Sequence, residues 1–228
     1  VLSVSACGAS STPAAADNNS SSSADQGTWP RTVKHDAGET TIPKKPLKIV
    51  STSLTLTGTL LAIEAPITAT AATTPSSITD DKGFFSQWAK VADDRKVQVL
   101  YPKLTLNIED VIKAETDLIV GSTVGADSTK DQYDQLSKIA PTVMFNYGNK
   151  SWEDLASALG VATGHESDAK KTVSEFDTFV TEQAKKLKLP EQPVNALLYQ
   201  RWPVRLGLQD KQRARSLADR FGLQSRAG

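Results

Sequence analysis

Between residues 48 and 145, short apolar runs recur with turn-forming residues on either side. Lys48-Ile49-Val50 follows Pro43 and Pro46, and Pro66-Ile67-Thr68-Ala69-Thr70 leads into a loop. Leu118-Ile119-Val120 stops at Gly121, and Thr142-Val143-Met144-Phe145 follows Pro141. Runs that are apolar throughout, and not at every second position, predict strands covered on both faces, as in a parallel sheet. Helical patterns separate them. Residues 54–63 predict a helix of small and apolar residues. Residues 108–115 predict another, with Asn107 as its N-cap and Asp110 completing a cap-like pair. Residues 133–139 predict a short helix broken before Pro141. Residues 152–159 predict one capped by Ser151, with Asp154 three residues on, and closed by Gly160. Residues 33–42 read as a short strand and turn. The repeated alternation of strand and helix predicts an α/β fold built on a parallel sheet.

Residues 167–188 have a different pattern. Ala169, Val173, Phe176, Val180, Ala184 and Leu187 are spaced 4, 3, 4, 4 and 3 apart, with Lys, Glu, Asp and Gln in most of the gaps. This predicts a long amphipathic helix with one apolar stripe, stopped by Pro190 and Pro193. Residues 194–199 then read as a strand that opens a second α/β unit, and nothing after Gln200 continues the cycle. The expected division is an N-terminal lobe over 29–166, a connecting helix over 167–188, the start of a second lobe over 189–200, and a tail over 201–228.

Composition changes the picture at both ends. Val4-Ser5-Ala6-Cys7 places an apolar residue and two small ones ahead of the only cysteine. This resembles the lipobox of an exported lipoprotein, so residues 1–7 are expected to be the remnant of a signal peptide with Cys7 carrying the lipid. Residues 8–28 are nearly all small or polar, with Ser20-Ser21-Ser22-Ser23 at the centre, and predict a flexible tether. No run of 18 apolar residues is present, so no membrane span is expected. Formal net charge is zero, which gives no case for a nucleic-acid partner. That balance hides a break in usage. Residues 201–228 hold six Arg and Lys211 against Asp210 and Asp219, whereas the first 200 residues hold only Arg31 and Arg95 against seventeen Lys. The tail is therefore expected to be aberrant, from a frameshift or foreign sequence, with a genuine basic helix as the alternative.

The sequence offers no catalytic or metal signature. His35 and His165 stand far apart, Cys7 lies at the expected anchor, and no HxH, HExxH or CxxC spacing occurs. Gly121-Ser122-Thr123-Val124-Gly125 follows a strand but lacks the Walker lysine and the dinucleotide glycine pattern, so it is either a strand-end turn or a ligand contact. Ser53 and Ser122 lack a convincing His and acid partner, and neither an enzyme nor a resident cofactor is expected. What the strand ends do carry is hydroxyls and aromatics. The candidate ligand-binding residues are Ser51, Thr52, Ser53, Thr73, Trp88, Ser122, Thr123, Tyr147, Lys150 and Trp152, which suit a flat, oxygen-rich anion. For Phe85 and Trp88 a core role is the alternative, and for Lys150 and Arg95 a solvated surface charge is.

Four runs carry a resemblance. They are Ile49-Val50-Ser51-Thr52-Ser53-Leu54-Thr55-Leu56-Thr57-Gly58, Phe84-Phe85-Ser86-Gln87-Trp88-Ala89-Lys90-Val91-Ala92, Asp131-Gln132-Tyr133-Asp134-Gln135-Leu136-Ser137-Lys138-Ile139-Ala140-Pro141-Thr142 and Lys150-Ser151-Trp152-Glu153-Asp154-Leu155. Over about residues 30–200 the chain resembles the substrate-binding proteins of ferric catecholate-siderophore transporters, in particular the enterobactin-binding branch. The resemblance implies two α/β lobes joined by one long helix, with a ferric siderophore held between them and delivered to an ABC permease and its ATPase. The second lobe would be largely missing here, leaving half a site. It further implies a monomer outside the cytoplasm, anchored to the membrane through lipid. Asn107-Ile108-Glu109-Asp110-Val111, followed by Asp117-Leu118-Ile119-Val120, resembles the segment whose glutamate docks on the permease, which makes Glu109 the docking candidate. Thr116 stands where the family usually has proline, and no role carries over to Arg201 or Arg205. A binder of haem, cobalamin or a hydroxamate siderophore is the runner-up, followed by a surface lipoprotein without a transport role.

Overall fold

A computed structural model describes residues 27–187. The expected lipidated Cys7, most of the tether, the start of the second lobe and the basic tail lie outside the described residues. The chain opens with an antiparallel hairpin, β1 (Arg31–His35) and β2 (Gly38–Ile42), in which Arg31 faces Ile42 and His35 faces Gly38. There follow β3 (Ile49–Ser51), α1 (Leu54–Ala62), β4 (Ile67–Ala71), α2 (Ser86–Asp94), β5 (Gln98–Tyr101), α3 (Ile108–Lys113) and β6 (Leu118–Ser122). A 3-10 turn then leads to α4 (Tyr133–Leu136), β7 (Thr142–Phe145), α5 (Trp152–Thr163) and α6 (Glu166–Ala184).

Strands β3 to β7 form one parallel sheet in the order β5-β4-β3-β6-β7. Every residue of β3, β6 and β7 is buried, as an apolar run with helices on both faces requires. Alternate side chains divide between two cores. Leu118, Val120, Val143 and Phe145 point into the larger one, with Leu56 and Leu60 of α1, Trp88 of α2, Leu155 and Leu159 of α5, and Ala169 of α6. Ile119 and Met144 point the other way, toward Val111 of α3 and Leu136 of α4. Each fully buried Leu or Ile contributes on the order of 2 kcal/mol, so the sheet with its two helix layers dominates stability.

Local chemistry explains the helix ends. Ser53, Asn107 and Ser151 accept hydrogen bonds from the backbone N–H groups of Leu56, Glu109 and Asp154 respectively. Each such cap is worth about 1 kcal/mol. The hairpin is secured to the β7 edge, where Asp36 N–H donates to the Met144 carbonyl at 2.8 Å and Thr40 Oγ1 donates to the Thr142 carbonyl at 2.7 Å.

Some boundaries differ from the sequence expectation for physical reasons. Gly160 does not end α5: the helix runs on to Thr163 and stops at Gly164, which takes a left-handed conformation with φ 73°. Gly160 is instead a crossing point, because a Cβ there would lie 2.9 Å from the Cβ of Ala169 in α6. The expected helix over 133–139 keeps only four residues. Two elements lacked a clear pattern. Helix α2 has no side-chain cap, and β5 is an edge strand whose first two residues are exposed. The long helix expected over 167–188 corresponds to α6, which ends at Ala184, before the expected end, with residue 188 outside the described residues; its start is held by the ion pair of Arg31 with Glu166 and by Thr172 Oγ1 donating to the Ala62 carbonyl.

Candidate functional site

Strand order locates the candidate site. From β3 the chain moves to one side through β4 and β5, then crosses to the other side for β6 and β7. The carboxyl ends of β3 and β6 therefore flank a topological switch point, where the connections diverge and leave a crevice. Helices α1, α3 and α5 begin at this same end of the sheet, because each follows a parallel strand.

The crevice floor is lined by hydroxyls that are already hydrogen-bonded within the protein. Ser51 Oγ donates to the Ser53 carbonyl at 2.7 Å, Thr52 Oγ1 lies 2.8 Å from Thr129 Oγ1, and Ser122 Oγ donates to the Val124 carbonyl at 2.8 Å. Ser51, Thr52, Ser53 and Ser122 are fully buried, so these four candidates face the protein interior and not an open surface. Trp88 is also buried, wedged between Phe84 and Phe85 and against Gly58 of α1. Of its two readings the core one describes its position.

The remaining candidates lie nearer solvent. Thr73 begins a loop whose base is closed by its N–H donating to the Gly83 carbonyl at 3.1 Å. Gly83 has φ 88°, and a Cβ there would lie 1.9 Å from the Thr73 oxygen, so only glycine fits. Thr123 follows β6, with its N–H donating to the Phe145 carbonyl at 3.3 Å. Trp152, in the first turn of α5, meets Phe176 of α6 edge to face at 4.8 Å. Lys150 pairs with Asp36 of the hairpin turn at 2.8 Å. Burial works against the Asp36 charge, but the Lys150 hydrogen bond, the Asn146 N–H and the nearby positive charge outweigh it and hold the carboxyl below its usual range. Glu109 is exposed in the first turn of α3, its N–H bonded to Asn107 Oδ1 at 3.1 Å.

Asp127 was not among the sequence candidates and organises the centre of the crevice. Its Oδ2 accepts from Ser53 Oγ at 2.6 Å and from Thr55 N–H at 2.9 Å, while its Oδ1 accepts from the Tyr147 hydroxyl at 2.8 Å. Only 5% of it is exposed, and none of the ion pairs among the described residues involves it. Neutral donors and the first turn of α1 thus solvate a buried charge. Tyr147 responds: burial, then the hydrogen bond to Asp127 and its negative charge, push the phenol up to about 12. Tyr101 is pushed up as well, by burial and by Asp127, while its hydroxyl donates to the Thr52 carbonyl at 2.8 Å. No sequence spacing pointed to Asp127, because its partner Ser53 is 74 residues away. Among the described residues no cluster of His, Cys, Asp or Glu could hold a metal ion, and no helix is long and apolar enough to cross a membrane.

The chain belongs to the periplasmic binding protein family, whose model matches residues 49–227, and a doubly wound sheet with its crevice at the strand ends is consistent with one lobe of such a protein. That family is extracytoplasmic and non-catalytic. The relatives narrow the class. The ferric enterobactin-binding periplasmic protein FepB of Escherichia coli O6:H1 (strain CFT073) is 47% identical over 172 residues, which cover 75% of this chain and 54% of FepB. The iron(3+)-hydroxamate-binding protein YxeB of Bacillus subtilis (strain 168) is 30% identical over 185 residues, covering 81% of this chain and 50% of YxeB. Among solved structures, holo-ViuP superposes with a TM-score of 0.73 at 38% identity, over 88% of this chain and 66% of ViuP. The chain thus spans about half the length of the curated relatives it matches.

Proposed function

We propose that this chain binds a ferric catecholate siderophore outside the cytoplasm and delivers it to an ABC importer. The observation that carries the reading is the 47% identity to a ferric enterobactin-binding protein over 172 residues. The geometry agrees with it. Tyr147 and Trp152 offer aromatic surface, Thr73 and Thr123 offer hydroxyls, and Lys150 brings positive charge toward an anionic complex. In this reading Ser51, Thr52, Ser53 and Ser122 form the rigid layer behind the contact surface, and Trp88 fixes α2 beneath it. Iron arrives already wrapped by the siderophore and is cargo, so the described residues need no metal site of their own.

Glu109 is the docking residue toward the permease in this proposal, since it is exposed at the same end of the sheet as the crevice. Cys7 carries the lipid that keeps the protein at the membrane. A hydroxamate siderophore is the second reading, favoured by the 30% identity to an iron(3+)-hydroxamate-binding protein.

Quenching of tryptophan fluorescence by ferric enterobactin and by ferrichrome separates the two. Ferric enterobactin is expected to quench at the lower concentration. The opposite order would replace the catecholate reading with the hydroxamate one, and absence of quenching by either would remove both.

A further inference from the structure

Tyr147 is hydrogen-bonded to the central carboxylate of the crevice and, unlike the buried Tyr101, is partly exposed, so its surroundings decide how it can meet a ligand. Its hydroxyl donates to Asp127 Oδ1 at 2.8 Å. Thr55 N–H donates to the other oxygen of the same carboxylate at 2.9 Å. Asp127 therefore joins the loop after β6, which carries it, to the loop after β7 and to the first turn of α1. Ser53 Oγ, at 2.6 Å, ties the same carboxylate to the end of β3.

The loop after β6 is shaped to admit the tyrosine. Gly125 has φ 84°, a conformation that other residues adopt only with strain, and a Cβ there would sit 1.7 Å from the Tyr147 hydroxyl oxygen. The same position therefore demands glycine twice over, once for the backbone and once for the phenol. A surface tyrosine that merely drifted against the loop would need neither.

We propose that Asp127 is the positioning residue of this crevice: its carboxylate takes the Tyr147 hydrogen and fixes the ring between three loops, so that Tyr147 meets a ligand as a preset aromatic wall. The direction of the bond excludes other roles. A phenol that has given its hydrogen to a buried carboxylate does not donate to a ligand oxygen, and it is not the phenolate that would coordinate iron. Fixing the ring in advance removes side-chain entropy that binding would otherwise have to supply. Asp127 itself touches no ligand and acts through Tyr147. The ligand part of the proposal rests on the siderophore-binding reading, whereas the fixed ring does not.

The test uses the chain labelled with 13Cζ-tyrosine, so that Tyr147 is followed by its own resonance, assigned by loss of the signal in Tyr147→Phe. In the unsubstituted chain the Tyr147 signal is expected to remain that of a phenol at about pH 10.5, where an ordinary tyrosine is mostly ionised. In Asp127→Asn its titration is expected to move down by about one pH unit or more. A Tyr147 that titrates near 10 in the unsubstituted chain, or that is unmoved by Asp127→Asn, overturns the proposal. The first of these needs no variant to fold. Quenching by ferric enterobactin supplies the second readout. Asp127→Asn and Tyr147→Phe are each expected to weaken it by about tenfold, and the double variant no further, because both disable the same hydrogen bond. Full additivity, or lower thermal stability in Asp127→Asn with unchanged quenching, would leave Asp127 as a helix cap only. If ferric enterobactin fails to quench the unsubstituted chain, the siderophore reading fails while the tyrosine titration still decides the ring.

Discussion

Two polar clusters tie distant parts of this molecule together, and they do so by opposite means. Around Asp127 a buried charge is satisfied by neutral donors, Ser53 Oγ, Thr55 N–H and the Tyr147 hydroxyl. Around the hairpin turn, Asp36 is satisfied by the Lys150 cation and the Asn146 N–H, beside His35, whose ring contacts Thr40 Oγ1 at 2.9 Å and Tyr133 at 3.4 Å. Ala37 N–H donates to His35 Nδ1, which places the ring hydrogen of the neutral form on Nε2. The first cluster is rigid because each lost donor leaves an unsolvated charge. The second is half-exposed and open to water, salt and protons. Burial without a counter-ion fixes geometry, while a partly exposed ion pair tunes it.

The largest expected effect comes from emptying the first cluster. Asp127→Ala leaves the Ser53 hydroxyl, the Thr55 N–H and the Tyr147 hydroxyl without their acceptor, and is expected to cost about 3 kcal/mol in urea unfolding. A loss below about 1 kcal/mol would mean that water reaches these groups. Gly125→Ala attacks the same cluster from the backbone. Left-handed strain and the clash with Tyr147 are together expected to cost about 2 kcal/mol, and adding Tyr147→Phe should recover part of it by removing the hydroxyl.

The hairpin cluster should respond chiefly to pH. Burial is the largest influence on His35 and lowers its pKa below 6.5, only partly countered by Asp36. The unfolded chain therefore binds the proton more readily, and stability is full above about pH 6.5 and declines as pH falls below it. Asp36, held below 3.8, contributes stability that is present above that value and is lost in more acidic solution, as pH falls through its folded pKa. His35→Gln is expected to flatten the upper part of this profile in pH-dependent thermal melts, and Asp36→Asn the lower part. A profile unchanged by His35→Gln would remove the histidine from the account. Smallest of all is Lys150→Met. With roughly a quarter of each side chain exposed in the Lys150–Asp36 pair, the loss should be below about 1 kcal/mol and should shrink further at high salt. Salt should leave the Asp127 cluster unmoved.

The same contrast explains what could be read from the sequence. Strands buried on both faces announced themselves as continuous apolar runs, and residues 142–145 match β7 throughout. Asn107 and Ser151 were legible as caps because a cap acts within one turn. Helix α2 and strand β5 were not legible, since one lacks a cap and the other alternates weakly at an edge. Gly160 misled because glycine marks both helix ends and close crossings, and only the neighbour in α6 tells which. At the crevice, the hydroxyl-rich strand ends were found in the sequence, but not the direction in which their side chains point. Asp127 was invisible for a simpler reason: its meaning lies in partners 74, 72 and 20 residues distant.

The crossing at Gly160 also fixes where α6 can lie. From Ala169 to the last residue of α6 the helix extends about 22 Å. The ion pair of Arg31 with Glu166 fastens the helix before the crossing, and the bond from Thr172 to Ala62 and the contact of Phe176 with Trp152 fasten it beyond. One methyl group inserted at Gly160 would have to push Ala169 outward against those fastenings. The seat of a 19-residue helix is thus set by a missing side chain.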